Sequence, residues 1–180
     1  MRALIATLAL SAFLSTSAFA QDSANTLVMQ LKDGEVRIDL DTQNAPKHAE
    51  RLKTLANQGF YDGLKFHRVI PGFMAQTGDP QGTGMGGSDL PDLDAEFSDV
   101  PFERGTVGMA RSQNPNSANS QFFIMYDAAP HLNGAYTVVG KVSEGMEAVD
   151  AVKKGDLNDN GAVDDPDTIV KMRTADKLGS

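Results

Sequence analysis

Apolar and polar residues alternate along Thr26–Leu31 and again along Val36–Leu40, with Asp33-Gly34 between them. Period-two alternation turns one face of each segment inward, and Asp-Gly favours a tight turn, so the pair predicts a β-hairpin. The period then lengthens. Leu52, Leu55 and Ala56 recur at helical spacing after Asn44-Ala45-Pro46, and Gly59 follows. This predicts a helix capped by Asn44, with Pro46 in its first turn and Gly59 at its end. Phe66–Ile70 and Phe73–Thr77 predict strands broken by a Pro71-Gly72 corner, and Thr106–Ala110, Gln121–Tyr126, Tyr136–Val142 and Thr168–Arg173 predict further strands. A second helix is predicted over Glu144–Lys153, with Met146, Val149 and Val152 on one side and Gly155 ending it. Gln81–Val100 and Arg111–Ser120 read as loops. Many short strands with two distant helices predict a mostly β fold, a closed antiparallel barrel with helices at its ends. Closure would also remove unpaired strand edges.

The first residues follow another pattern. A basic Arg2 precedes a mostly apolar run, Ala3–Leu14, and a small polar stretch ends in Ala18-Phe19-Ala20. This reads as a secretory signal over residues 1–20, with one domain over 21–180. The apolar run falls short of the ~20 residues that a membrane span requires. The chain has no cysteine, so disulfides, thiolate metal sites and cysteine nucleophiles are excluded. A short signal and a cysteine-free domain together suggest a bacterial periplasm. The formal net charge of -8, with no basic block, argues against nucleic acid and anionic membranes as partners. No coiled-coil pattern or exposed apolar stripe is evident, and a monomer is expected.

Candidate chemistry concentrates in Phe66-His67-Arg68-Val69-Ile70-Pro71-Gly72-Phe73-Met74-Ala75-Gln76-Thr77-Gly78-Asp79. An arginine and a glutamine stand around a Pro-Gly corner in an otherwise apolar, β-prone run, and glycines crowd in after it. The pattern reads as a rigid wall opening on a glycine rim, suited to an extended peptide. Taken alone, Arg68 reads as a surface arginine paired with a carboxylate. His48, His67 and His131 lack metal-ligand spacing, and His48 is placed on a solvated helix face. Asp156-Leu157-Asn158-Asp159-Asn160-Gly161, with Asp167 at position twelve, has the start of a calcium loop. Pro166 at position eleven and a strand after it favour an acidic turn with Asn160-Gly161 at the tip.

Phe66 to Gly87 resembles the central motif of the cyclophilins, the peptidyl-prolyl isomerases. Met109-Ala110-Arg111, Asn114-Pro115-Asn116-Ser117, Ser120-Gln121-Phe122-Phe123-Ile124 and Leu132-Asn133-Gly134 match further family motifs in the same order. The start and length of the polar loop look like the bacterial branch. The resemblance implies an eight-stranded closed barrel capped by two α-helices, with a peptide groove on its outer face. It implies Arg68 as catalytic arginine with Gln76 beside it. It implies Phe73, Met74, Phe123 and Leu132 as walls of a proline pocket, and Ala110, Arg111 and Gln121 as the rim holding the substrate backbone. Tyr136 stands where many members have histidine. His131 replaces tryptophan or another large residue, so affinity for cyclosporin-type cyclic peptides is expected to be weakened. Val139 replaces a common phenylalanine, which bears on packing.

The implied reaction is rotation about the C–N bond of X-Pro in proline-containing polypeptides. That barrier is about 18–20 kcal/mol, because the amide has partial double-bond character. Twisting frees a lone pair on the proline nitrogen, to which a permanently charged guanidinium can donate. Such a contact exists only in the transition state. No metal or cofactor is required. Two rival readings stand beside it: a proline-peptide binding module or chaperone using the same groove, and a calcium-dependent interaction protein built on the Asp156 loop.

Overall fold

The computed structural model describes residues 23–178. The expected signal peptide therefore lies outside the described residues. No helix among those described is long and apolar enough to cross a membrane.

The strands are β1 (Thr26–Leu31), β2 (Gly34–Leu40), β3 (Arg68–Ile70), β4 (Met74–Thr77), β5 (Thr106–Met109), β6 (Phe122–Met125), β7 (Val138–Glu144) and β8 (Lys171–Thr174). The helices are α1 (Pro46–Asn57) and α2 (Met146–Ala151). The strands form one antiparallel sheet in the order β3-β4-β6-β5-β7-β2-β1-β8.

The sheet is an open half-barrel, which corrects the expectation of a closed barrel. Its outermost strands, β3 and β8, are not paired with each other. The gap is crossed by isolated contacts: a bridge between Lys65 and Thr168, another between Arg68 and Ala162, and a bond from the Phe66 N–H to the Asp167 carbonyl at 2.9 Å. A ladder cannot run through this crossing segment. Pro166 has no N–H, and Asp165 takes a φ of 50°, outside the extended region.

Alternation along the strands divides the interior in two. In β6, Phe122 and Ile124 enter the main core, while Phe123 and Met125 enter a second cluster on the other face. In β7 the same split puts Val139 in the main core and Val138 in the second cluster. β4 sends Ala75 to the core and Met74 to the other side. Successive side chains of a strand point to opposite faces, so two apolar neighbours serve two cores. The Val139 substitution is thus a matter of core packing. α1 packs against β8 and α2 against β2; Leu52, Leu55, Ala148 and Val149 complete the main core.

Two expectations about α1 change. Asn44 does not cap it; its side chain donates to the Asp41 carboxylate at 2.7 Å, and Ala45 occupies the cap position. The first free amides, those of Lys47 and His48, donate instead to Glu96, at 3.1 Å each to one of its oxygens. A distant carboxylate thus meets the positive end of the helix. His48 is fully buried rather than solvated, with its Nδ1 2.7 Å from the same carboxylate. Burial, pulling upward, is outweighed at Glu96 by the hydrogen bonds from His48 and Lys47, which hold its carboxyl below the usual range.

Candidate active site

The corner between β3 and β4 begins the site. The Phe73 N–H donates to the Ile70 carbonyl at 3.0 Å across Pro71 and Gly72. Proline presets the first central position, and Gly72, with φ of 70°, takes the left-handed second one. This tight turn fixes the register, which sets Arg68 directly opposite Gln76 and Ile70 opposite Met74. The Arg68 Nη1 donates to Gln76 Oε1 at 3.2 Å. Its Nε donates to the Asn160 carbonyl and its Nη2 to Asn160 Oδ1, both at 3.0 Å.

No ion pair of Arg68 occurs among the described residues, so the surface-pair reading of this arginine does not hold. Partial burial pulls its pKa below the ordinary arginine value, yet a guanidinium remains cationic at any physiological pH. The result is a half-buried cation held by neutral oxygens alone.

Beside it lies a hollow of about 330 Å³. Arg68, Gln76, Phe73, Met74, Ala110, Arg111, Phe123, Leu132 and Tyr136 all line it, and so does His131. Met74, Phe123 and Leu132 are buried at its floor. Aromatic contacts brace the walls. Phe123 stacks on Phe102 at 5.7 Å and meets Tyr136 edge-on at 5.9 Å, while Phe73 stacks on His131 at 5.7 Å.

Gln121 stands apart from this hollow. It lines a neighbouring cavity of about 500 Å³, which shares Gln76, Ala110 and Arg111 with the first. The Gln121 Nε2 donates to the Gly84 and Gly86 carbonyls at 3.1 and 2.8 Å. Its Oε1 accepts from Gln76 Nε2 at 2.9 Å. The glycine rim is held in turn by Asp79, whose carboxylate accepts from the amides of Gln81, Thr83 and Gly84 at 2.8, 2.8 and 2.6 Å. These bonds outweigh the effect of burial and keep the Asp79 carboxyl below the ordinary range.

Arg111 is more occupied than the sequence suggests. Its Nη2 donates to the Ala135 carbonyl at 2.8 Å and its Nη1 to Ser112 at 2.9 Å. Its guanidinium carbon lies 4.3 Å from the centre of the Tyr136 ring. It is a brace for the aromatic wall.

The calcium-like pattern does not assemble. The Asp156 carboxylate accepts from the Asn158 amide at 2.8 Å, and Asp167 accepts from the Lys153 amide at 2.9 Å. Among the described residues no cluster of three or more His, Asp or Glu is placed to hold a metal ion. What sequence reasoning missed in this turn is Asn160. Its only signal was the Asn-Gly dipeptide, and Arg68 lies 92 positions away.

Residues 26–174 match the family model described as cyclophilin type peptidyl-prolyl cis-trans isomerase/CLD. The chain is 57% identical over 181 residues to a probable peptidyl-prolyl cis-trans isomerase of Brucella suis, covering 91% of this chain and 92% of that one. It is 43% identical over 129 residues to peptidyl-prolyl cis-trans isomerase B of Bacillus subtilis, covering 71% of this chain and 90% of that one. Among solved structures, a cyclophilin-type isomerase of Cryptosporidium parvum, crystallised in the presence of the dipeptide Ala-Pro, superposes with a TM-score of 0.76 at 30% identity. That match covers 83% of this chain and 98% of the other. A cyclophilin from Hirschia baltica gives 0.78 at 26% identity, over 92% of this chain and 83% of its own. A family match across the whole described sheet, joined to a cation beside an aromatic hollow, identifies the chain as a member of the cyclophilin-type peptidyl-prolyl cis-trans isomerases.

Proposed function

We propose that Arg68 is the catalytic group of this isomerase and that the 330 Å³ hollow receives the proline ring. The observation carrying this reading is the state of the guanidinium: half-buried, held only by neutral oxygens, and lining the same hollow as Phe73, Met74, Phe123 and Leu132. A carboxylate partner would neutralise the charge that the twisted amide needs. Three of its five N–H groups are engaged, and two have no partner among the described residues. Phe73, Met74, Phe123 and Leu132 clasp the pyrrolidine, which has no N–H to satisfy. Gln76 orients Arg68. Ala110 and Gln121 line the larger cavity, where the chain preceding proline runs, and Arg111 stiffens the wall through Tyr136.

The guanidinium contact strengthens as the proline nitrogen becomes pyramidal, so it lowers the barrier without tightening ground-state binding. Arg68→Ala should therefore lower kcat/KM for an X-Pro peptide by about 10²–10³, the usual cost of losing one positioned donor. The melting temperature should hold. A folded variant with full exchange activity by NMR would end the assignment.

The substrates we infer are X-Pro segments of exported proteins in a bacterial periplasm, where the isomerase speeds slow folding steps. Support comes from the signal-like residues 1–20 and the cysteine-free domain. Fractionation with N-terminal sequencing should find a protein beginning at Gln21 in the periplasm; a cytoplasmic chain retaining Arg2 would refute it. We further propose a monomer that binds cyclosporin-type cyclic peptides weakly, because His131 stacks on Phe73 where the family carries a larger side chain.

A further inference from the structure

We propose that Asn160 is a positioning residue for Arg68, and that the acidic turn Asp156–Gly161 exists to present it. This rests on Arg68 being the catalytic group, as proposed above. Both oxygens of Asn160 bind one guanidinium: the backbone carbonyl takes Nε and the side-chain oxygen takes Nη2, each at 3.0 Å. Those two donors share one edge of the planar fork, so paired acceptors fix the direction of the whole group as a single bond could not. Gln76 holds the third donor from the other side. The terminal nitrogens keep their remaining N–H groups for the hollow.

The turn is built for this grip. Asn160 has φ of 51° and ψ of 30°, the left-handed region that Asn tolerates better than most residues. The carbonyl of the next residue, Gly161, accepts from the Val69 N–H at 2.8 Å, and the Gly155 N–H donates to the Val69 carbonyl at 2.9 Å. Both ends of the turn are thus tied to the residue next to Arg68 in β3. Gly161 has no room for a side chain, since a Cβ there would lie 2.4 Å from an Ile70 carbon. The Asp156 carboxylate closes the first half of the turn on Asn158.

A left-handed tip alone would be served by glycine. The exposed Asn160 side chain is therefore explained by what its oxygen holds. Asn160→Gly keeps the backbone shape and the carbonyl and removes only the side chain that carries Oδ1.

The test is NMR exchange on an X-Pro peptide, with kcat and KM measured separately. Asn160→Gly should lower kcat about tenfold, the usual weight of one hydrogen bond to a charged group, and leave KM nearly unchanged. In an Arg68→Ala background, Asn160→Gly should change nothing further, because it acts through the arginine. Melting midpoints should stay within about 3 °C of the parent. Wild-type kcat in Asn160→Gly, or an equal loss in the Arg68→Ala background, overturns the positioning role. Full activity in Arg68→Ala overturns the underlying catalytic assignment instead, so the two failures are distinguishable.

Discussion

Gln76 donates its amide N–H to the amide oxygen of Gln121 at 2.9 Å, and this bond fixes the orientation of both side chains. Gln121 must turn its NH₂ to the Gly84 and Gly86 carbonyls, so its oxygen faces Gln76. Gln76 must then turn its own oxygen to Arg68. The glycine rim and the arginine are joined by one directional chain of amides.

Gln76→Glu tests that chain. A carboxylate there would face the Gln121 oxygen without a proton to offer, and would form a charge-assisted pair with Arg68. With the cation neutralised, kcat should fall about tenfold while peptide binding persists. Steady-state exchange kinetics checks it; an unchanged kcat would show that the charge of Arg68 is not what matters.

Arg111→Lys should separate wall from chemistry. Lysine cannot reproduce the fork on the Ala135 carbonyl or the flat contact with Tyr136. Loss of a contact worth about 1 kcal/mol corresponds to roughly a fivefold rise in KM, with kcat retained. A variant whose kcat falls while KM stays fixed would instead put Arg111 in the reaction itself.

Phe123→Ala removes the hollow's floor and the stack on Phe102 together. The ring is only 5% exposed, so a cavity remains, and about 3–4 kcal/mol of stability should be lost. Met74→Leu, nearly volume-conserving at the same floor, should cost under about 1.5 kcal/mol. Urea denaturation compares the two, and equal costs would mean that Phe123 packs loosely.

Stability should weaken in acid through Asp62. Its hydrogen bonds from the Arg173 fork, at 2.8 and 2.7 Å, hold its carboxyl below the usual range, with burial opposing and the Met172 amide assisting. A carboxyl depressed in the folded state contributes fully above its unfolded pKa of about 3.9 and loses that contribution as pH falls through the folded value. The melting gap between wild type and Asp62→Asn should therefore be constant above about pH 5 and shrink below about pH 4. A gap independent of pH would refute the linkage.

The first hairpin, the corner at Pro71-Gly72 and the apolar walls were legible because each rests on local spacing or a turn residue. Asn44 as cap was not, since the helix takes its acceptor from Glu96, 49 positions away. His48 looked solvated because its partner is that same carboxylate. Val138 and Val139 are neighbours with different destinations, and nothing in two adjacent valines says which face meets which core. Barrel closure was expected because closure removes edges, but Pro166 and Asp165 interrupt the segment that would have completed the ladder.

That interrupted seam has a dynamic consequence. Elsewhere each strand is held by consecutive rungs, so its amides can exchange with solvent only through large openings. Across the seam single contacts do the holding, and local opening there needs less free energy. The Phe66 and Val69 amides, which donate across the seam to the Asp167 and Gly161 carbonyls, should lose protection from hydrogen exchange well before those of β5 or β6. Arg68 stands on this seam, so its surroundings can loosen and reset while the rest of the molecule keeps its shape.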